Sequence, residues 1–166
     1  MTIRLRQWRK EDYSALSRNA NNENVSRYLR DMFPYPYTED DAKSFIEFAT
    51  NCNNGNLYFA VTVDGEVAGG ANIGFLDDVY RHNAGIGYWL GEKYWGKGIA
   101  TEVIGKLYKK ACKKEGIIRV EAQIIADNCG SFRALRKNGF VVEACLHDRI
   151  YKGGNTYDEI LLVKRK

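Results

Sequence analysis

The sequence is poor in the residues that build metal centres and disulfide frameworks. Its 166 residues include two histidines and four cysteines, and the cysteines lie far apart with no C-x-x-C pair: Cys52, Cys112, Cys129 and Cys145. We therefore predict no metal, no disulfide framework and reduced thiols. Cys129 is singled out, because a thiol near a helix N-terminus can acquire a lowered pKa and become reactive.

Long apolar runs and long charged runs are also missing. Nowhere do about 18 apolar residues follow one another, and the first residues, MTIRLRQW, lack the apolar centre of a signal peptide. We expect a soluble, cytoplasmic protein with no membrane partner. Runs of about five like charges are absent as well, which argues against a nucleic-acid-binding arm and against a nucleic-acid partner.

The composition is that of one globular domain. The chain of 18.9 kDa is 45% hydrophobic and 28% charged, and neither repeats nor low-complexity tracts divide it. We predict a single domain over residues 1–166. The net charge of +4 favours anionic ligands only weakly, because the lysines are scattered.

Hydrophobic periodicity predicts a mixture of strands and helices. Predicted helices are Lys10–Ala20, a helix capped by Thr38 that runs to about Asn51, the apolar stripe Ile99–Ala111 stopped by Gly116, and Asn128–Asn138. Predicted strands are Ile3–Trp8, Leu57–Val63, Val67–Leu76, Ala84–Leu90, Ile117–Ala126, Phe140–Tyr151 and Thr156–Val163. Strands that precede, separate and follow helices predict an α/β mixed sheet with helices on both faces.

The stretch KYWGKGIATE, residues 93–102, predicts an anion site. A helix N-terminus carries free N–H groups and a partial positive charge, so residues Trp95–Thr101 suit an anion that approaches closely. Gly96 and Gly98 permit that approach, because they can take positive φ and expose successive amides. Lys97 adds a positive charge at the rim.

Two other phosphate motifs fit this stretch less well. Residues 91–98, GEKYWGKG, match the nucleotide P-loop until Gly98, which stands where a Ser or Thr hydroxyl should hold magnesium. The dinucleotide pattern G-x-G-x-x-G fails at Thr101, and no βαβ unit begins there. A P-loop-type nucleotide-binding protein stays the less favoured alternative.

Two blocks, GIGYWLGEKYWGKGIATE and NCGSFRALRKNGF, resemble the signature blocks of the GNAT N-acetyltransferase superfamily, nearest its ribosomal-protein alanine acetyltransferase branch. The likeness covers nearly the whole chain. The first block fits that family's cofactor pattern with Lys93 where Gln or Arg is usual, and with Gly96 and Gly98 in the two later places. The second block matches at Asn128, Ser131, Leu135, Gly139 and Phe140.

The resemblance implies the acyl-CoA N-acyltransferase fold, with a mostly antiparallel twisted sheet in which two parallel strands splay apart. Acetyl-CoA would lie between those strands, its pantetheine arm pairing with exposed backbone. The implied cofactor-binding residues are Trp89, Leu90, Trp95, Gly96, Lys97, Gly98, Ile99, Ala100, Thr101 and Asn128. The implied proton donor to the leaving thiolate is Ser131, although a serine at that place can also bond the helix backbone.

The resemblance leaves the general base and the acceptor open. Gly85 stands where many relatives carry a glutamate, and Glu121 on the neighbouring strand is one substitute. The acceptor, a primary amine of a protein N-terminus or of a small molecule, is expected near Tyr28–Tyr37. The absent carboxylate at Gly85 also admits an acyl-CoA-binding sensor without turnover. The resemblance further implies a possible homodimer, because members of the GNAT family often dimerise.

Overall fold

The structure, a computed structural model, describes residues 1–166. Its seven strands are β1 (Ile3–Arg6), β2 (Leu57–Val63), β3 (Glu66–Phe75), β4 (Asn83–Leu90), β5 (Arg119–Ile125), β6 (Val141–Lys152) and β7 (Asn155–Arg165). Its α-helices are α1 (Tyr13–Ala20), α2 (Glu23–Ser26), α3 (Glu39–Asn51), α4 (Ile99–Ala111) and α5 (Cys129–Lys137). Three short 3-10 helices lie at Lys10–Asp12, Asp78–Tyr80 and Glu92–Tyr94.

The strands form one sheet in the order β1-β2-β3-β4-β5-β7-β6. Every neighbouring pair is antiparallel except β4 and β5, which run parallel. That parallel pairing joins only residues 83–85 to residues 119–121, so the rest of β4 and β5 is not hydrogen-bonded as a ladder. The predicted fold class, a mixed sheet that is mostly antiparallel with one splayed parallel pair, is confirmed.

Helices cover both faces of the sheet. Neighbouring residues of β2 show this, because Phe59 and Val61 belong to the apolar cluster that contains α4 and α5, whereas Ala60 belongs to the cluster of α1 and α3. Successive strand side chains point to opposite faces, so the two clusters are separated by the sheet. The larger cluster anchors α4 and α5 beside the splayed strands, where the candidate site lies.

Two predicted elements near the N-terminus differ from the structure, one in the type of its first turn and one in its end. The predicted helix Lys10–Ala20 begins as a 3-10 turn, because the Asp12 carboxylate accepts the N–H of Arg9 at 2.8 Å and the Arg6 guanidinium at 2.7 Å. The predicted strand to Trp8 stops at Arg6, since the Trp8 ring turns into the core against Phe45. Elsewhere the strand and helix ends shift by three residues or fewer.

The short helix α2 was absent from the sequence prediction. It has four residues, and its sequence signal is the Asn22 side chain, which accepts the N–H groups of Asn24 and Val25. No helix of the protein combines the length and the apolar character that crossing a bilayer requires.

Candidate functional site

A cavity of about 590 Å³ opens where β4 and β5 separate. Its walls are the end of β4, the loop and first turn of α4, and the first turns of α5. Eleven residues were predicted for the cofactor site and catalysis, and the structure brings ten of them to this cavity: Trp89, Leu90, Trp95, Gly96, Gly98, Ile99, Ala100, Thr101, Asn128 and Ser131.

The glycine loop, residues 95–98, presents unpaired backbone donors at the start of α4. Gly96 and Gly98 both lie in the left-handed region, with φ of 71° and 76°, and Gly98 is the N-cap residue of the helix. None of the backbone N–H groups of residues 96–101 donates a hydrogen bond to another protein atom. A helix N-terminus with such exposed donors attracts anions, and phosphate groups in particular.

The loop is fixed to the end of β4 by a side chain. The Trp95 indole N–H donates to the Leu90 carbonyl oxygen at 2.8 Å, although the Trp95 side chain stays 40% exposed. This contact closes the turn and places the free N–H groups at one end of the cavity.

Lys97 is the predicted site residue that the structure leaves outside the cavity. Its ammonium donates to the Lys93 carbonyl oxygen at 2.7 Å, one turn back along the chain. The Lys97 side chain therefore bonds a carbonyl oxygen of its own loop, and its positive charge lies at the rim of the cavity. The sequence pattern gave its charge but not this direction.

Asn128 and Ser131 sit together at the start of α5. The Asn128 side-chain oxygen accepts the Ser131 N–H at 3.1 Å, so Asn128 caps the start of α5. The side-chain NH₂ of Asn128 donates to no protein atom and stays free for a ligand in the cavity. Cys129, the first residue of α5, is exposed and also lines the cavity.

Tyr88 is a site residue that the sequence did not reveal. Its hydroxyl lies 2.5 Å from the Ser131 Oγ, and both side chains line the cavity from opposite walls. Burial raises the pKa of Tyr88 to about 12, and the hydrogen bond with Ser131 only partly offsets that rise. The phenol is therefore protonated at neutral pH and available as a hydrogen-bond donor to Ser131.

Two basic residues on α5 extend the positive character of the cavity. Arg133 and Lys137 are exposed, lie four positions apart on one face of the helix and line the cavity. Their spacing in the sequence was a usable signal, since two cations at that interval share a helix face. Only the fold shows that this helix face lines the same cavity as the glycine loop.

No carboxylate takes the place that Gly85 leaves vacant in the family pattern. Glu121 pairs with Gly85 across the parallel strands, but its carboxylate bonds the Arg119 guanidinium at 3.3 Å and does not line the cavity. Arg119 also bonds Glu143 at 2.6 Å, and its guanidinium holds the pKa of Glu143 below its usual range. Glu121 thus belongs to an ion-pair group at the far end of β5.

The predicted acceptor segment, residues 28–37, divides into two parts. Tyr28 and Leu29 line the cavity, whereas Phe33 and Tyr37 pack their rings together at 4.8 Å and contribute to the core. Close to this segment, the Glu92 carboxylate accepts hydrogen bonds from the side-chain amides of Asn22 and Asn24 at 2.7 and 2.9 Å. Those bonds tie the start of α2 to the loop after β4.

Comparisons with known proteins found a matching family and several related sequences. Residues 2–141 match the family described as Acetyltransferase (GNAT) domain. The uncharacterized N-acetyltransferase YoaA of Bacillus subtilis is 37% identical over 87 residues, which are 52% of this chain and 49% of that protein. The uncharacterized N-acetyltransferase p20 of Bacillus licheniformis is 26% identical over 99% of this chain and 94% of its own. The ribosomal-protein-serine acetyltransferase of Escherichia coli is 30% identical over 49% of this chain and 45% of its own.

Solved structures match over nearly the whole chain. The microcin C7 self-immunity acetyltransferase MccE, solved with acetyl-CoA and AMP, is 27% identical with a TM-score of 0.85, covering 99% of this chain and 92% of that one. The ribosomal L7/L12 acetyltransferase RimL, solved with coenzyme A, is 21% identical with a TM-score of 0.87, covering 99% and 94%. At that identity, the likeness to RimL concerns the fold alone.

Proposed function

Because the chain belongs to the acetyltransferase (GNAT) family, we propose that it transfers the acetyl group of acetyl-CoA to a primary amine by direct attack in a ternary complex. The enzyme class, an acetyl-CoA-dependent N-acetyltransferase, follows from the family. The proposal treats residues 1–166 as one catalytic domain and assigns a task to each wall of the cavity.

The observation that carries the proposal is the set of unpaired N–H groups of residues 96–101 at the start of α4. These donors suit the diphosphate of coenzyme A, which carries two negative charges. Arg133 and Lys137 on the opposite wall supply positive charge for the remaining phosphate group. A cavity of about 590 Å³ is in the range of small-molecule sites.

The pantetheine arm is assigned to the gap between β4 and β5. Strand pairing stops after Gly85, so backbone groups of β4 beyond that residue lack a partner on the β5 side. An arm that carries amide groups can add to such an edge as a strand does. The free NH₂ of Asn128 provides a further donor along the same path.

The transfer forms a C–N bond and breaks the C–S bond of the thioester. The neutral amine attacks the thioester carbonyl, and a backbone N–H near Trp89 and Leu90 stabilises the developing oxyanion, a contribution of about 3 kcal/mol in other acyl transfers. The tetrahedral intermediate then expels the coenzyme A thiolate. The proton that the nitrogen sheds balances the proton that the sulfur gains, so the products are the amide and free thiol.

Ser131 is assigned as the group that meets the leaving sulfur, and Tyr88 as the residue that positions it. We assign the donor role in this hydrogen bond to the Tyr88 hydroxyl, which keeps its proton at neutral pH. The Ser131 proton is then directed away from Tyr88 and toward the cavity. Ser131 thereby donates a hydrogen bond to the sulfur as negative charge collects on it.

Neither Gly85 nor Glu121 offers a carboxylate to the cavity, and we assign the ammonium proton of the acceptor to solvent water. Gly85 has no side chain to act, and Glu121 is bound to Arg119. Positioning of the two reactants supplies about 7 kcal/mol or more of the acceleration in comparable intramolecular reactions. The rate should therefore rise with pH until the acceptor amine is deprotonated, near pH 8 for an α-amino group.

The acceptor class that we propose is a protein or peptide N-terminus with a small first residue. The support is the relationship to the ribosomal-protein-serine acetyltransferase of Escherichia coli and the open position of Tyr28 and Leu29 at the cavity. The homodimer implied by the family resemblance stays a prediction.

The test is a screen of small amines and of short peptides with free Ala or Ser termini. Each is incubated with acetyl-CoA, and acetylated product and free coenzyme A thiol are followed by mass spectrometry and a thiol reagent. Product with a matching amount of thiol supports the transferase. Tight acetyl-CoA binding without thiol release across the panel would support the sensor instead.

Direct attack also predicts that the enzyme carries no acetyl group when the acceptor is left out. Cys129 is the nucleophile in the cavity that a covalent route would use. We expect an unchanged intact mass after incubation with acetyl-CoA alone, and retained turnover in Cys129→Ser. An acetylated intermediate that Cys129→Ser removes, together with turnover, would replace the direct route by a covalent one.

A further inference from the structure

A group of three different metal-ligand side chains lies on the β6–β7 hairpin, apart from the cavity. The His147 Nδ1 is 2.9 Å from the Asp158 Oδ2, and the Cys145 Sγ is 3.9 Å from the same oxygen. All three donor atoms lie within 4.8 Å of one another. None of these residues lines the cavity, and the proposed transfer uses none of them.

The register of the hairpin brings these side chains to one face. Leu146 pairs with Glu159, and His147 and Asp158 are the next residues on the two strands, at the start of an irregularity that ends at the Ile150–Tyr157 pair. Cys145 precedes His147 by two positions, which places both side chains on the same face of the strand. All three ligands therefore lie on β6 and β7 rather than on a loop.

An irregularity in the hairpin orients the carboxylate. The register breaks between Leu146 and Ile150, and Asp148 adopts φ of 51°. In that conformation the Asp148 N–H donates to the Asp158 Oδ1 at 3.0 Å, and the Asp148 carboxylate accepts the Thr156 hydroxyl at 2.8 Å. One oxygen of Asp158 is thus held by the backbone, and the other is left facing His147 and Cys145.

We propose that Cys145, His147 and Asp158 bind a zinc ion, with solvent in the fourth position. Thiolate and imidazole ligands favour Zn²⁺ over Mg²⁺ and Ca²⁺, which select oxygen ligands. Tetrahedral zinc with ordinary bond lengths separates its ligand atoms by about 3.4 Å for oxygen and nitrogen and by about 3.6 Å for oxygen and sulfur. The present distances of 2.9 and 3.9 Å differ from these by amounts that small side-chain rotations cover.

The site adjoins the junction that leads into α5. The Asp158 carbonyl oxygen accepts the N–H of Ala126 at 2.9 Å, two residues before the cap residue Asn128. A bound ion would hold β6 to β7 at this point, and so support the end of β5. The role that we assign is an ancillary structural site, separate from the chemistry of the transfer.

The test uses full-length, tag-free, reduced protein and zinc itself, measured by competition with a chromophoric chelator. We expect one zinc ion per chain, and at least tenfold weaker binding in each of Cys145→Ser, His147→Gln and Asp158→Asn. Matched controls are Cys52→Ser and His82→Gln, which remove one cysteine and the other histidine of the chain at distant places. The controls should bind as the unchanged protein does.

Cobalt gives a second readout that does not depend on variants folding well. Co²⁺ bound to the unchanged protein should show the near-ultraviolet charge-transfer band of a cobalt–thiolate bond, and zinc should displace it. Failure to bind zinc stoichiometrically, binding that is the same in all three ligand variants, or bound cobalt without the thiolate band would each overturn the site. The amine screen with chelator-treated enzyme is independent of all three outcomes.

Discussion

The assignment of the glycine loop to the coenzyme A diphosphate can be tested at Gly98 with a matched pair of substitutions. Gly98 has φ of 76°, and no other atom lies within 4 Å of the place where a Cβ would stand. Asparagine and aspartate are the side chains that best tolerate this conformation, and they have nearly the same size and shape. Gly98→Asn and Gly98→Asp therefore share the backbone strain and the added bulk, and they differ in charge.

The expected difference follows from the charge facing the diphosphate. At about 6 Å, two unit charges repel by about 0.7 kcal/mol in water and by about 2.8 kcal/mol at the effective dielectric of a protein surface. The loop is exposed, so about 1 kcal/mol for each of two phosphate charges is a reasonable value. Gly98→Asp should then bind coenzyme A about 2 kcal/mol more weakly than Gly98→Asn, which is roughly thirtyfold in Kd.

Isothermal titration with coenzyme A measures this difference, and pantetheine is the control ligand because it lacks the diphosphate. The gap between the two variants should shrink as salt is added and should vanish with pantetheine. Thermal unfolding of both proteins checks that the helix start is equally stable in each. Equal affinity of Gly98→Asp and Gly98→Asn for coenzyme A, at low salt and with both folded, would refute the placement of the diphosphate on this loop.

Two further predictions concern the catalytic pair and the N-terminal ion pair. Ser131→Ala should lower kcat by about 100-fold or more, and Tyr88→Phe should lower kcat by less, while the KM for acetyl-CoA changes little in either variant. Steady-state kinetics measures both constants. If affinity for acetyl-CoA falls as much as kcat does, the two residues act in binding instead. Burial raises the pKa of Asp12, but the hydrogen bonds from Arg6 and Arg9 outweigh it and leave the pKa below its ordinary value of 3.8. A carboxylate with a lowered pKa stabilises the folded protein at neutral pH, and this stabilisation is lost as the pH falls. The free energy of unfolding of Asp12→Asn should therefore be about 2 kcal/mol lower than that of the unchanged protein at pH 7. Denaturant titrations should show this difference narrowing below about pH 4, and a difference that does not change with pH would contradict the assignment.

Features that depend on neighbours in the sequence could be predicted well. Thr38 and Asp41 form the reciprocal cap expected of a helix start, with the Thr38 hydroxyl accepting the Asp41 N–H at 3.1 Å. Asp64 and Gly65 both take positive φ in the two-residue turn that joins β2 to β3. In each case the conformation depends on a few adjacent residues, so it can be predicted from the local sequence.

Features that depend on distant residues could not be predicted. Tyr88 and Ser131 are 43 positions apart, and their contact exists because β5 runs parallel to β4 and then leaves it, with α5 following. The direction of Lys97 was missed for a related reason, since its choice between a ligand and the Lys93 carbonyl depends on the path of the loop. Composition fixes which groups are present, whereas topology decides which of them meet.

The position of β4 explains why one cavity can hold two chemically different parts of a cofactor. Up to Gly85 the strand is paired on both sides, and beyond it the β5 side is open for a chain-like amide arm. At the end of β4, the Leu90 carbonyl oxygen accepts a hydrogen bond from the Trp95 indole N–H. This contact closes the turn after β4, and α4 then begins with its free N–H groups at the same opening. In the arrangement that we propose, the extended polar arm lies along β4 and the compact anion lies at the end of the same strand. Ser131, hydrogen-bonded to Tyr88, is the hydroxyl that α5 contributes to this cavity, and we assign it to the thioester end of the arm.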